Sequence, residues 1–81
     1  MQTKFELDWH QINNDISVED EIQQTIGNCS AEVLTHEHNS NATVLVTFNG
    51  TKDQLAKRLV EIDYYDKEDA DYFKAEMKEI G

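Results

Sequence analysis

The chain has 81 residues and a formal net charge of −10, from 17 acidic and 7 basic residues. Such a length accommodates one domain, close to the smallest size that a single hydrophobic core stabilises unaided. The excess of negative charge disfavours direct binding to DNA, RNA or an anionic membrane, because like charges repel at long range.

The cysteine content and the N-terminal residues bear on the compartment. Cys29 is the only cysteine, which excludes an intramolecular disulfide and a cysteine-based zinc site. The N-terminal residues lack the apolar run of a signal peptide, and no stretch approaches the ~20 apolar residues of a membrane-spanning helix. We therefore expect a soluble, cytoplasmic protein with a single domain over residues 1–81.

The first part of the chain predicts a strand followed by a short helix. Apolar and charged residues alternate between residues 3 and 9, which is typical of a half-buried strand. Ser17, with an acid three residues later, predicts a capped helix over about 18–26. Gly27 and Asn28 then supply residues that tolerate the left-handed backbone with which helices end.

Two further strands are predicted over 29–38 and 41–49 as a β-hairpin, since the second arm is rich in β-branched residues. A two-residue loop at 39–40 pairs residues whose numbers sum to 79. That register places Leu34 opposite Leu45 on the reverse face of the sheet. The face predicted to join the core carries Ala31, Val33, Thr35, Val44, Val46 and Phe48.

The remaining residues predict two helices. Thr51 and Gln54 have the spacing of a capping box for a helix over about 52–64. Asp66 is placed to cap a third helix that runs close to the C-terminus. Its apolar stripe consists of Ala70, Phe73, Met77 and Ile80. The order β-α-β-β-α-α predicts an α+β fold: a small, three-stranded, mainly antiparallel sheet with helices against one face.

The first candidate site is an anionic surface that binds a basic partner. Carboxylates held on a rigid scaffold engage Lys and Arg side chains, and their pairing with Arg is bidentate and strong. Alternatively, these acids only interact favourably with the positive ends of the helix dipoles and keep a small protein soluble. The predicted partner-binding residues are Asp8, Asp15, Glu19, Asp20, Glu21, Glu32, Asp63, Asp66, Glu68 and Asp71.

The second candidate site is the reverse face of the sheet. Leu34 and Leu45 form a small apolar island there, ringed by polar groups, and exposed islands of this kind often mark interfaces. A partner protein or a second copy of the chain is the expected occupant. The alternative is that the third helix wraps round and buries the island.

Neither a metal site nor catalysis is predicted. His36 and His38 point to one face of a strand, and the alternation along the first strand allows His10 to point to the same face. A short His-Glu-His run beside a turn is nevertheless more typical of a solvated hairpin end, so we expect no metal and no cofactor. The sequence lacks a glycine-rich phosphate loop, a nucleophile elbow and a Cys-His pair with an orienting acid, which argues against an enzyme.

In size, absence of proline and acid-rich character, the chain resembles the small inhibitors that bacteriophages use against host nucleic-acid enzymes, including anti-CRISPR and anti-restriction DNA mimics. The likeness is one of composition and involves no motif, so no residue roles are carried over. It implies a protein that occupies the basic nucleic-acid channel of a nuclease, polymerase or CRISPR effector. The alternative is a structural subunit or homodimer joined through Leu34 and Leu45.

Overall fold

The computed structural model describes residues 2–37 and 41–80. The elements in chain order are β1 (Gln2–His10), α1 (Val18–Ile26), β2 (Cys29–His36), β3 (Asn41–Asn49), α2 (Lys52–Glu61), a 3-10 turn (Lys67–Asp69), α3 (Ala70–Glu76) and β4 (Lys78–Ile80). The strands form one antiparallel sheet in the order β2-β3-β1-β4. The predicted α+β class is confirmed, but the predicted count of three strands is wrong.

One face of the sheet carries the core. Phe5 and Trp9 of β1 are fully buried, as are Val44 and Val46 of β3, because alternate residues of a strand point to the same side. Burial of each such large side chain contributes about 1.5–3 kcal/mol. The helices close this layer with Val18, Ile22, Ile26, Leu55, Ala56 and Leu59. On the opposite face, called the open face below, the side chains are exposed or half-buried.

The predicted limits of α1 are confirmed. The Oγ of Ser17 accepts a hydrogen bond of 3.1 Å from the backbone N–H of Asp20, which satisfies one of the free amides of the first turn. Beyond the last turn, Gly27 and Asn28 have φ values of 75° and 54°, a region that costs these two residue types little. The chain therefore leaves the helix where the sequence indicates.

Arg58 of α2 ties the two longer helices together. Its Nε donates to the carbonyl of Ile26 at 2.8 Å, and its Nη2 donates to the carbonyl of Thr25 at 3.4 Å. The last turn of α1 contains no basic residue of its own. The guanidinium thus supplies the positive charge that the C-terminal end of a helix dipole favours.

The capping box of α2 is confirmed, but the predicted length of this helix is not. The N–H of Gln54 donates to Oγ1 of Thr51 at 3.2 Å, and the N–H of Thr51 donates to Oε1 of Gln54 at 2.7 Å. The helix ends at Glu61. Asp63 has a φ of 60°, so the chain turns back before residue 64.

The C-terminal residues form a strand where a helix was predicted. The helix α3 ends at Glu76, and Met77 has extended dihedral angles and is 1% exposed. Lys78 and Ile80 then pair with Glu6 and Lys4 of β1. The reason is non-local: the edge of β1 offers unpaired backbone groups, and a short strand satisfies them while Met77 fills the core.

The third helix also begins differently from the prediction. Asp66 lies at the start of the 3-10 turn, but its side chain makes no capping hydrogen bond. Ile80, predicted on the apolar stripe of this helix, belongs to β4 and is 42% exposed. Phe73 packs against the core as predicted.

The hairpin register differs from the prediction by two residues. Cys29 pairs with Phe48, and Val33 pairs with Val44, so that partner numbers sum to 77 and not 79. The core face is unchanged, because a shift of two residues preserves the alternation. Thr35 is an exception: it is exposed and lies opposite Thr43. The predicted two-residue loop at 39–40 lies outside the described residues.

A β-bulge between Val33 and Thr35 separates the two leucines of the predicted apolar island. Leu34 is the extra residue, and Leu45 instead lies between Glu32 and Glu6 on the open face. The predicted cross-strand contact of Leu34 with Leu45 is therefore wrong.

No helix within residues 2–37 and 41–80 combines the length and the apolar character needed to cross a bilayer.

Candidate functional site

The structure divides the ten predicted partner-binding acids by exposure. Glu21 is buried, and Glu19 is half-buried. The other eight are exposed, namely Asp8, Asp15, Asp20, Glu32, Asp63, Asp66, Glu68 and Asp71. Asp8 and Glu32 share the open face of the sheet. Asp8 pairs with Thr43 and Glu32 pairs with Leu45, two residues apart on the same side of β3.

Very little of the negative charge is neutralised internally. Two ion pairs occur among the described residues, Arg58 with Glu61 and Lys74 with Asp53. All 17 acids and all seven lysines and arginines belong to the described part of the chain. None of the ten predicted partner-binding acids takes part in either pair, and of these ten only Asp71 acts on a lysine, adding to the rise that Asp53 causes in the pKa of Lys74.

Glu21 is a structural residue, which corrects its assignment to the binding surface. Its Oε2 accepts a hydrogen bond of 2.6 Å from the indole N–H of Trp9, and its Oε1 accepts from the amides of Ile12 at 3.0 Å and Asn13 at 2.5 Å. A carboxylate can satisfy several donors at once. Glu21 therefore fixes the segment after β1 and is not available to a partner.

A cleft of about 600 Å³ lies beside β1, next to the end of β4. It is defined by a floor of apolar and aromatic side chains and a rim of charged ones. The floor consists of Leu7, Trp9, Tyr64, Tyr65, Phe73 and Met77, and the rim carries Glu6, Asp8, His10, Asp63, Glu76 and Lys78. Four carboxylates thus surround an apolar floor.

The aromatic rings of the floor form a continuous stack. Tyr64 lies parallel to Trp9 with ring centroids 4.2 Å apart, and Tyr65 lies nearly parallel to Phe73 at the same distance. Tyr64 and Tyr65 meet at a tilt of 48° with centroids 5.0 Å apart. Distances of this order are favourable for aromatic pairs. The stack makes the floor a rigid surface that joins β1 to α3.

The turn after α2 places the two tyrosines. The backbone amides of Tyr64 and Tyr65 both donate to the carbonyl of Leu59, at 3.0 and 3.2 Å. The positive φ of Asp63 permits this reversal. The hydroxyl of Tyr64 then accepts a hydrogen bond of 2.9 Å from the amide of His10.

The electrostatic field in the cleft is negative. Burial raises the pKa of Tyr64, the His10 hydrogen bond opposes this rise, and the carboxylates of Asp8 and Glu21 add to it. Burial raises the pKa of Tyr65 further above its usual range, and Tyr64, Glu76 and Asp8 act in the same direction. Both hydroxyls stay neutral at physiological pH.

Asp8 presents both its side chain and its backbone to the cleft region. The strand β4 stops at Lys78, opposite Glu6, so it does not extend to Asp8. The amide of His10 is directed to this edge, where it meets Tyr64. Backbone groups of alternate residues share one edge of an antiparallel strand, so the N–H and C=O of Asp8 lie on the same edge, past the end of β4.

The side chains of Asp8 and Glu37 compete for one hydrogen-bond donor, the hydroxyl of Thr43. Oγ1 of Thr43 lies 3.3 Å from Oδ1 of Asp8 and 3.1 Å from Oε1 of Glu37. A threonine hydroxyl has one hydrogen to donate. Two carboxylates therefore share one donor, and this part of the surface retains acceptor capacity for an external cation.

The histidines and the cysteine do not assemble a second site among residues 2–37 and 41–80. No three His, Cys, Asp or Glu side chains are grouped there as metal ligands. Nδ1 of His10 lies 2.9 Å from Oδ1 of Asn41. His38 lies outside the described residues. Cys29 is half-buried, and burial raises the pKa of its thiol.

Sequence reasoning found Asp8 and Asp63 but missed the rest of the cleft. The two rim acids that were not predicted are Glu6, in β1, and Glu76, at the end of α3. The signal that was available is the Asp63–Asp66 run, in which two adjacent tyrosines are flanked by acids. Tyrosine is enriched at interfaces because its ring is apolar and its hydroxyl is polar.

No protein-family model, curated protein or solved structure matches the chain.

Proposed function

We propose that this protein is a non-enzymatic binding protein whose acidic surface occupies a basic, nucleic-acid-binding site of a partner protein. The observation that carries the proposal is the unpaired negative charge. Eight of the predicted acids are exposed, and none of them forms an ion pair with a lysine or arginine of the described chain. With 17 acids against seven lysines and arginines, most carboxylates are left to interact with cations outside the chain.

A basic partner is electrostatically more complementary to this surface than a second copy of the chain. Leu45 lies between Glu32 and Glu6, and Leu34 is displaced by the bulge. Two copies packed through this face would bring like charges together, which costs free energy at an interface. Each chain also carries a net charge of −10, so long-range repulsion opposes the encounter.

Binding through such a surface has a defined dependence on salt. Interactions between exposed charges are screened over about 8 Å at physiological ionic strength and over less at higher salt. Affinity for the partner should therefore fall steeply as salt is raised. Nucleic acid should compete, since it uses the same lysines and arginines of the partner.

The first experiment identifies the partner by these two properties. The protein is immobilised, exposed to a lysate of the organism that makes it, and washed with increasing salt. Proteins that elute with salt are then tested for competition by duplex DNA and by RNA. Binding that resists high salt, or that neither nucleic acid displaces, overturns the proposal.

A pair of double variants tests whether unpaired charge is the cause. Glu68→Gln with Asp66→Asn removes two exposed acids that form no ion pair; Glu61→Gln with Asp53→Asn removes two that already have partners. Both variants change the net charge equally. We expect the first to weaken binding on the order of tenfold and the second to leave it close to the original value. Equal weakening by both would show that net charge alone acts.

A further inference from the structure

We propose that the cleft beside β1 receives an arginine side chain of the partner. The inference rests on the proposed function and deepens it, because it names the residue that the acidic surface accepts. The cleft combines an apolar aromatic floor with carboxylates at the rim. Arginine has the matching arrangement, an aliphatic stem that packs on apolar surface and a charged end that stays at the rim.

The flat guanidinium fits the aromatic stack better than an ammonium does. The rings of Tyr64 and Trp9 lie within 2° of parallel, and those of Tyr65 and Phe73 within 12°. Planar guanidinium groups stack on aromatic surfaces, and cations over such rings are attracted by the π electrons. Trp9 and Tyr65 are buried behind their stacking partners, so the half-buried rings of Tyr64 and Phe73 are the ones that a flat cation can reach.

The acceptors around the platform also match arginine. The carboxylates of Asp8, Asp63 and Glu76 lie on the rim without an ion pair, and the C=O of Asp8 lies past the end of β4. A guanidinium carries five N–H donors in a fixed plane, whereas an ammonium carries three. Several acceptors on different sides of the cleft can therefore be satisfied by one side chain.

Two cationic or titratable groups share the rim and do not remove this charge. Lys78 is opposite Glu6 in the β1–β4 ladder and forms no ion pair within the described residues. His10 directs Nδ1 to Asn41. The four rim carboxylates outnumber both groups together.

The size of the cleft indicates that more than one side chain enters. Its volume of about 600 Å³ falls within the ~300–1,000 Å³ of typical small-molecule sites. The main chain that flanks the arginine therefore has room beside Asp8. The N–H and C=O of that residue lie past the end of β4, where they can supply the hydrogen bonds that an added extended segment uses.

The test uses small probes and the whole protein. Nα-acetyl-arginine N-methylamide is titrated into ¹⁵N-labelled protein, and the matched citrulline derivative, which is neutral, serves as the control probe. We expect chemical-shift changes at Asp8, Tyr64, Tyr65 and Glu76, and at least tenfold weaker binding of citrulline. Equal shifts with both probes, or shifts that map elsewhere, would overturn the inference. A lysine derivative that binds as tightly as arginine would also overturn it.

Variants separate the cleft from general charge. Asp8→Asn and Glu76→Gln should each weaken arginine binding several-fold, while Asp69→Asn, at an exposed acid that does not line the cleft, should not. Equal effects of all three contradict a specific site. The partner assay distinguishes a failure of the arginine site from a failure of the proposed function. Salt-sensitive binding that nucleic acid displaces, together with no response to arginine, would reject the cleft and keep the proposed function.

Discussion

The indole N–H of Trp9 donates a hydrogen bond of 2.6 Å to Oε2 of Glu21, and both residues are buried. This bond links β1 to α1 inside the core, and the second carboxylate oxygen of Glu21 holds the segment between them. The acid therefore connects three consecutive pieces of the fold. Its role is stability, and this role can be measured.

Replacement of Glu21 by alanine should lower the free energy of unfolding by about 2–4 kcal/mol, because the buried indole N–H loses its acceptor. Urea unfolding followed by the fluorescence of Trp9, the single tryptophan, measures the change. Gln24→Ala, on an exposed position of the same helix, is the control and should shift stability by no more than about 0.5 kcal/mol. Equal effects would mean that water replaces the carboxylate.

Gly50→Ala should destabilise the turn between β3 and α2. A Cβ at this position would lie 2.7 Å from the ring of Phe48 and 2.5 Å from Oε1 of Gln54, and the φ of 156° disfavours other residues. Phe48 is buried, and Gln54 closes the capping box, so both contacts resist displacement. We expect a loss of about 2–6 kcal/mol in unfolding free energy, because the overpacking adds to the backbone strain.

Gly27→Ala is the matched control for that substitution. Gly27 also has a positive φ, of 75°, but an added Cβ there has nothing within 4 Å. Only the backbone preference is lost; with a ψ of 163° this is a conformation that glycine alone adopts readily, and alanine there costs about 1–3 kcal/mol. If thermal unfolding shows the Gly50 variant to be as stable as the Gly27 variant, the close approach of Phe48 is not as described.

Tyr65 should make the protein less stable in alkali. Its folded-state pKa is raised above the ordinary 10.0, chiefly by burial. The unfolded chain releases this proton above about pH 10 while the folded protein retains it, so unfolding becomes more favourable as the pH rises further. Below pH 10 the effect is absent, because both states hold the proton.

Tyr65→Phe should therefore flatten the alkaline fall in stability, measured by urea unfolding at pH 7 and between pH 10 and 11. Tyr64, with a pKa raised in the same direction, retains part of the slope. Tyr72→Phe is the control, since this ring is exposed and solvent screens its interaction with Glu76. A slope that both variants change equally would contradict the role of burial.

Hydrogen exchange should distinguish the amides of Glu6 and Asp8, which face the same edge of β1. Glu6 pairs with Lys78 of β4, whereas Asp8 lies past the end of that strand. Exchange at Asp8 should be at least tenfold faster than at Glu6, because amide protection requires a hydrogen bond or burial. Similar protection of the two amides would show that another group covers this edge.

The helix boundaries that could be predicted from sequence depend on contacts within one turn. The Ser17 and Thr51 caps bond to residues three positions away, so the residue types alone indicate them. The end of α3 could not be predicted in this way. Phe73, Met77 and Ile80 have helical spacing, but the open edge of β1 lies some 70 residues away in sequence and takes Ile80 into a strand.

The site could be predicted only in part for the same reason. Exposed acids such as Asp8 and Asp63 follow from charge and from the alternation of residues. The role of Glu21 depends on Trp9, twelve residues away, and helix periodicity places this acid only at the border of an apolar stripe. The bulge at Leu34 likewise separates two residues that an ideal hairpin would join.

That bulge lies in β2, one of the two outermost strands of the sheet. It breaks the even spacing of the outward amides and carbonyls beyond Val33, and Glu32 places a charge beside the regular part. The other outermost strand, β4, has only three residues. Edge strands that are short, bulged or charged offer few regularly spaced backbone groups with which an incoming strand can pair. The outermost strands β2 and β4 therefore resist pairing with the same strands of another copy, even though the two central strands are long and rich in apolar residues.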